Sequence, residues 1–509
     1  MALDNTLDFK EINALLQILN TQVTALQSNT DIDQKAAARA KQLIIASCTH
    51  LIHSIQSPIE VINESTGGIF KTVVLGFVVD VDIPEVVRDF GKPEQGGGVH
   101  VDEISRMVGI DASYIARILR YLATRHIFVE LSPNVFAHNR ISTILCKPRP
   151  WKEIKAEWHL MYSPISRFDD APFAAFVSML AEEPVIETLS SFSPFVKLQR
   201  PNNANTTESS SIEEASAPAP KTAFNYKFST PQSIWSWLAS QSANDDPEEK
   251  EKYEMRKRKV AALMKGGDVI NEGGNQENGG VLVDGIKTAL ALENSDNFKS
   301  TRIVDVGGST GSATLVLKKY FDKTKTGSSQ ASTKYIVQDL ERGIETAQKF
   351  WEEKDSKAIE SGEVELVVHD FFTPQPQSPA SSETTTVYFL RMIVHDWPDN
   401  EAKVILKRLR EAHAGTTESR LVIFDSLARY TCDDPSLSGR EKEGQRPLLG
   451  NLGVAGEGHS TMMDLAMMAY HNGKERTREE FELLGKETGW KLERIVEGKP
   501  VAGLVFSAL

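Results

Sequence analysis

From about residue 300 onward the sequence alternates short apolar runs with amphipathic stretches. These run RIVDV then TLVLKKYF, KYIVQDL then GIETAQKFW, VELVVHDF, TVYFLRMI then NEAKVILKRLREA, SRLVIFDSL, and REEFELLGKETG before LERIV and AGLVFSAL. Runs of this length rich in Val, Ile, Leu and Phe read as strands covered on both faces, and the stretches between them as the covering helices. The order predicts a doubly wound α/β domain with a mainly parallel sheet. Such a sheet builds its site at the carboxyl ends of its strands.

At 509 residues the chain is too long for that domain alone. Residues 1–65 carry apolar positions at helical spacing (Ile12, Leu15, Leu16, Leu19, then Leu43, Ile44, Leu51, Ile55) and read as helices in need of a partner surface. Residues 66–200 contain the order helix, turn, helix, hairpin: Ile104 and Val108, then Ile115, Leu119 and Leu122, then IFVEL and VFAHN around Ser-Pro-Asn. That order is a winged-helix pattern. Residues 201–221, PNNANTTESSSIEEASAPAPK, have almost no large apolar side chains and read as a flexible insertion. Residues 222–509 then hold bridging helices and the α/β domain, padded by polar loops near 324–333, 374–386 and 431–460.

The formal charge of −13 argues against nucleic acid or an anionic membrane as partner. No apolar run reaches the ~18 residues that a membrane span needs, and Cys48, Cys146 and Cys432 form neither a disulfide framework nor a zinc pattern. A cytoplasmic, metal-free protein is expected.

The strand ends carry the chemistry. VDVGGSTG places Gly307 and Gly308 where the first strand turns; it is neither a GxGxxG nor a Walker loop, which favours a nucleoside ligand without a pyrophosphate over a plain structural turn. Asp339, ending KYIVQDL, either accepts from ribose hydroxyls or caps the next helix. Asp370 and Phe371, ending VELVVHDFF, pair a carboxylate for an exocyclic amine with a ring for a base, or form an ordinary turn.

The fourth strand runs into LRMIVHDWPDNEAKVIL, which puts His395 on the same edge. An imidazole there can act as a general base or simply cap the following helix. Two carboxylates favour the base: Asp425, ending LVIFD, and Glu475, in NGKERT, either of which can accept the other ring N–H and stabilise the imidazolium.

Together VDVGGSTG, the VQDL and HDFF strand ends, LRMIVHDWPDNEAKVIL and MMDLAMMAYHNGKERTREEF resemble the S-adenosylmethionine-dependent O-methyltransferases of the caffeic-acid and isoflavone type, especially the fungal secondary-metabolism branch. The resemblance covers most of residues 100–509 in motif order. It implies an N-terminal winged-helix domain for dimerisation and substrate capping, and a cation-independent, Rossmann-like methyltransferase domain. It implies further that Gly307 and Gly308 line the methionine part of S-adenosyl-L-methionine, Asp339 holds the ribose, and Asp370 and Phe371 frame the adenine. Arg391 stands in for the usual lysine beside them, and His395 is the base between Asp425 and Glu475. The expected substrate is a phenolic or polyketide-like small molecule. Ser309 departs from a common glycine, and Asp425 from the glutamate of plant members.

Two other readings are open. Some fungal members use this pocket for dehydration or pericyclic cyclisation with the cofactor bound. A DNA-binding regulator would use Arg106, Arg117, Arg120 and Arg125 of the helix-turn-helix. Phe224, Tyr226, Trp235, Trp237, Met467 and Met468 are candidate pocket walls or core.

Overall fold

The computed structural model describes residues 7–28, 33–157, 165–199, 221–234, 236–237, 246–271, 280–291, 300–324, 332–376, 384–412, 419–433 and 446–509. The insertion at 201–220, Trp235 and the loop stretches 325–331, 377–383 and 434–445 lie outside the described residues.

The chain divides into two compact units, Gln56–Ile270 and Thr6–Ile55 with Asn271–Leu509. In the first unit, helices Val101–Val108 and Ala112–Ala123 bury Ile104, Val108, Ile115, Leu119 and Leu122, one stripe per helix. Gly109, at φ 75°, ends the first helix in the left-handed region that glycine enters without penalty, and the Asp111 side chain accepts from the Ser113 N–H to start the second. A small antiparallel sheet follows, β1 (Val99–His100), β2 (Val129–Ser132) and β3 (Val135–Ala137), in the order β1-β3-β2. This matches the order of elements expected from residues 99–146.

The same unit buries an ion cluster. Lys147 Nζ lies 3.0 Å from Asp82 Oδ1 and 3.2 Å from Glu85 Oε2, all three fully buried, and Arg167 Nη1 is 3.5 Å from Asp82 Oδ1. Burial pushes the Glu85 carboxyl above its ordinary range against the pull of Lys147.

The second unit is built on a seven-stranded sheet: β4 (Ser300–Val306), β5 (Ser332–Asp339), β6 (Val364–Val368), β7 (Thr384–Arg391), β8 (Ser419–Asp425), β9 (Trp490–Val496) and β10 (Ala502–Ala508). The order is β6-β5-β4-β7-β8-β10-β9; β4 to β8 run parallel and β10 is antiparallel to both neighbours. Residues alternate between two cores. Ile303, Val387, Phe389, Val422 and Phe424 face one, and Val304, Val306, Tyr388, Leu390, Leu421 and Ile423 the other. The chain lays down β4, β5 and β6 outward, then returns to place β7 on the far side of β4. The direction of winding therefore reverses between β4 and β7, and a crevice opens at their carboxyl ends.

Helices Phe9–Ser28 and Gln34–Ile55 belong to this second unit, where Leu15 and Ala46 form a small core with Leu448 and Leu452. The end of the 431–460 loop region is thus the surface these helices cover.

Candidate active site

The loops after β4 and β7 meet at the switch point. A Cβ on Gly307, whose φ is 73°, would fall 2.8 Å from Ile393 Cδ1 and 3.6 Å from Phe371 Cε1, so this turn, the β6 end and the β7 end share one place. Gly308 has no room either: a Cβ there would lie 2.5 Å from the Asp305 carboxyl carbon. Ser309 takes φ 50°, and its N–H donates to Asp339 Oδ2 at 2.7 Å. Asp339 Oδ1 accepts from the Leu340 N–H at 2.7 Å, so this carboxylate braces the glycine turn, while the next helix, Glu341–Glu360, begins at Leu340 without a side-chain cap. Asp370 is exposed, and its Oδ1 accepts the Phe372 N–H at 2.9 Å. Phe371 stands half-buried, edge-on to Phe372 and Trp397. Arg391 ends β7, half-buried.

Beyond β7 the backbone bends at Met392, φ 55°, into the short 3-10 turn Val394–Asp396, which carries His395 at 4% exposure. Its Nδ1 is 2.9 Å from Glu475 Oε1, itself buried. Nδ1–H donates to that carboxylate, so the neutral ring presents Nε2 as the acceptor. Nε2 lies 3.5 Å from Asp396 Oδ1. Asp425 ends β8 fully buried, and among the described residues neither of its oxygens has a hydrogen-bond partner. Of the two carboxylates that the sequence offered to His395, the structure joins Glu475 to the ring and leaves Asp425 acting through space, as expected of a side chain one methylene shorter than glutamate.

Burial works against a charged His395, but the Glu475 hydrogen bond and the nearby Asp425 and Asp396 charges outweigh it and push the imidazole up to about 9. Burial pushes Asp425 up to about 7, with the His395 charge opposing.

The O-methyltransferase domain family matches residues 277–439. The chain is 31% identical over 495 residues to an O-methyltransferase of Armillaria gallica, covering 96% of this chain and 90% of that one. The chain belongs to the O-methyltransferase family. It is 28% identical over 477 residues to a 4-O-methyltransferase of Phanerochaete chrysosporium, with 92% and 88% of the two chains covered. Its fold is that of LepI, solved in complex with SAM: the TM-score is 0.62 at 20% identity, over 98% of this chain and 99% of that one.

This is an S-adenosylmethionine-dependent methyltransferase, and the residues at the switch point fit that cofactor. The glycine turn lets backbone approach a ligand where a side chain would intrude. Asp339 offers a charged acceptor beside it, and Phe371 a ring next to the same turn.

The candidate wall residues divide. Phe224 is fully buried against Phe228 and Trp237, hence core, while Tyr226 is exposed. Met467 is buried and Met468 half-buried. Asp396, next to His395 in the chain, is the acidic side chain nearest Nε2 among the described ion pairs, a contact that no spacing in the sequence signals. Nor does the sequence signal the burial of Arg476 in the GKERT segment, 1% exposed.

Proposed function

We propose that the enzyme transfers a methyl group to a hydroxyl of an aromatic or polyketide-like secondary metabolite, with His395 as general base. The observation that carries this reading is the buried His395–Glu475 hydrogen bond of 2.9 Å, placed just beyond β7 at the switch point. Bound S-adenosylmethionine supplies an activated methyl group on a positively charged sulfonium. Gly307 and Gly308 line its methionine part, Asp339 takes the ribose, and Asp370, Phe371 and Arg391 surround the adenine. His395 Nε2 accepts the proton of the acceptor hydroxyl as that oxygen becomes nucleophilic, which contributes roughly 10²–10⁴-fold. Glu475 keeps the ring in the required tautomer and stabilises the imidazolium.

An imidazole held up to about 9 is mostly protonated at neutral pH when nothing is bound. A cationic ligand in the same site disfavours the imidazolium and returns the ring toward its neutral, basic form. Cofactor and base are coupled through charge.

The helix-turn-helix and hairpin of residues 99–146 act as a winged-helix module for dimerisation and substrate capping. Ile59, Ile62, Ile69, Phe70 and Val73, on the helices that precede this module, are exposed, which supports a homodimer through the N-terminal part of the chain. Among the described residues no helix is long and apolar enough to cross a membrane. All three cysteines are free, which supports a reducing, cytoplasmic setting.

The test is incubation with methyl-labelled S-adenosylmethionine and an extract of phenolic metabolites, followed by mass spectrometry. A product heavier by one labelled methyl supports the reading and names the substrate. An unlabelled isomer or dehydrated product, with the cofactor bound and unspent, overturns it in favour of the ring-closing chemistry.

A further inference from the structure

His395 sits in a turn too short to define itself. A 3-10 segment of three residues closes little internal hydrogen bonding, so its position relative to Glu475 and Asp425 must be fixed from outside. One side chain does this. Arg476 is 1% exposed, and its Nη1 donates to the Val394 carbonyl at 2.9 Å while Nη2 donates to the Trp397 carbonyl at 2.8 Å. These two carbonyls bracket His395. Nε and Nη2 also donate to Asp399 Oδ1, at 3.1 and 2.9 Å, at the start of helix Asp399–Glu411.

The backbone around Arg476 ties in the other two site residues. Its carbonyl accepts from the Ala428 N–H at 2.9 Å, and a bridge pairs it with Leu427, just beyond Asp425. Glu475 precedes it, and the Glu475 N–H donates to Asp464 Oδ1 at 2.9 Å. The Lys474 N–H donates to the His395 carbonyl at 3.0 Å. Gly473 passes so close that a Cβ would lie 2.1 Å from the His395 carbonyl oxygen. The His395 turn, the Glu475 loop and the exit of β8 therefore converge on one guanidinium and its own backbone.

We propose that Arg476 is a positioning residue for the methyl-transfer step: its planar fork fixes the His395 turn against Glu475 and the end of β8. The inference rests on the reading of His395 as base. A lysine has the charge but not the fork, and cannot reach two carbonyls and a carboxylate in the same plane. A displacement of about 1 Å at a base costs on the order of 10²-fold in rate, so a loose turn shows in turnover before it shows in binding.

The test uses the full chain with S-adenosylmethionine and the phenolic acceptor found in the labelling screen, comparing Arg476→Lys, Asp399→Asn and His395→Ala. The groups facing His395, namely Glu475, Asp425, Asp396 and His471, are unchanged in the first two variants. Arg476→Lys should lower kcat by roughly 10- to 100-fold, with the acceptor KM and the S-adenosylhomocysteine Kd changed little. The acid limb of its pH profile should move to lower pH as the His395–Glu475 bond loosens. Asp399→Asn, which spares both carbonyl bonds, should shift kcat and the limb the same way by less. Wild-type kcat and an unmoved limb in either soluble, cofactor-binding variant, with His395→Ala inactive, overturn the role of Arg476 alone. If Arg476→Lys does not fold, Asp399→Asn decides by the same criteria. Full turnover by His395→Ala would remove the base reading, and this inference with it.

Discussion

Glu475 reaches across 80 residues of sequence to hold His395, its Oε1 2.9 Å from Nδ1, with both side chains withdrawn from solvent. A carboxylate in that position does two things at once: it chooses the ring tautomer, and it raises the affinity of the ring for a proton.

Glu475→Gln should separate those effects. The amide oxygen can still accept from Nδ1–H, but the charge is gone, so His395 falls from about 9 toward the ordinary value near 6.5. A base works deprotonated, so the rising limb of kcat/KM moves to lower pH by at least one unit. Turnover on the plateau drops ~10²-fold because the imidazolium loses its stabilising charge. A pH–rate profile of both proteins reads the two changes.

Asp425→Asn should stabilise the protein at alkaline pH. Asp425 is held up to about 7 and fully buried, so the folded state binds its proton more tightly than the unfolded state does. That preference favours folding below about pH 4, fades as pH rises, and is gone above 7, where the ionised carboxylate is buried without a hydrogen bond. Thermal melts should show the variant several degrees above wild type at pH 8.5, as expected of ~1 kcal/mol or more, and level with it near pH 4.

Asp339→Ala should weaken S-adenosylhomocysteine binding. A hydrogen bond to a charged acceptor is worth ~1.5–3 kcal/mol, or roughly 10- to 100-fold in Kd. The Ser309 N–H also loses its acceptor, which loosens the glycine turn. Titration calorimetry measures the loss, and an unchanged Kd would remove Asp339 from the cofactor site.

Lys147→Met should destabilise the first unit severely. It leaves Asp82 and Glu85 buried without the ammonium that lies between them, and breaking a buried pair in this way costs ~3–5 kcal/mol. Circular dichroism melts and the soluble yield on expression report it, with the His395 site untouched in sequence.

Ser309→Gly should act in the other direction. Ser309 holds φ 50°, which costs an L-residue ~1 kcal/mol and glycine nothing. Part of that gain is lost to the greater freedom of glycine when unfolded. A rise in melting temperature of a degree or two is expected, with the Asp339 contact kept because it is made by the backbone.

The strands and their edge were legible because buried parallel strands repeat an unmistakable apolar run, and motifs at their ends sit a fixed distance from it. Gly307, Asp370 and His395 follow β4, β6 and β7, Asp339 ends β5, and one topology brings all four to one edge. The helices Phe9–Ser28 and Gln34–Ile55 were legible as helices, but an amphipathic stripe says only that something covers it. That Leu448 and Leu452 do so is a fact of packing.

The sequence by itself determined which chemical groups stand at the sheet edge, because strand period and motif order are local properties of the chain. Only the tertiary structure decided which of them touch: that Glu475 rather than Asp425 holds the His395 ring, and that Arg476 ties the Val394 and Trp397 carbonyls to Asp399. Hydrogen bonds depend on differences of an ångström between segments about 80 residues apart, and those differences are set by how the loops pack over the finished sheet.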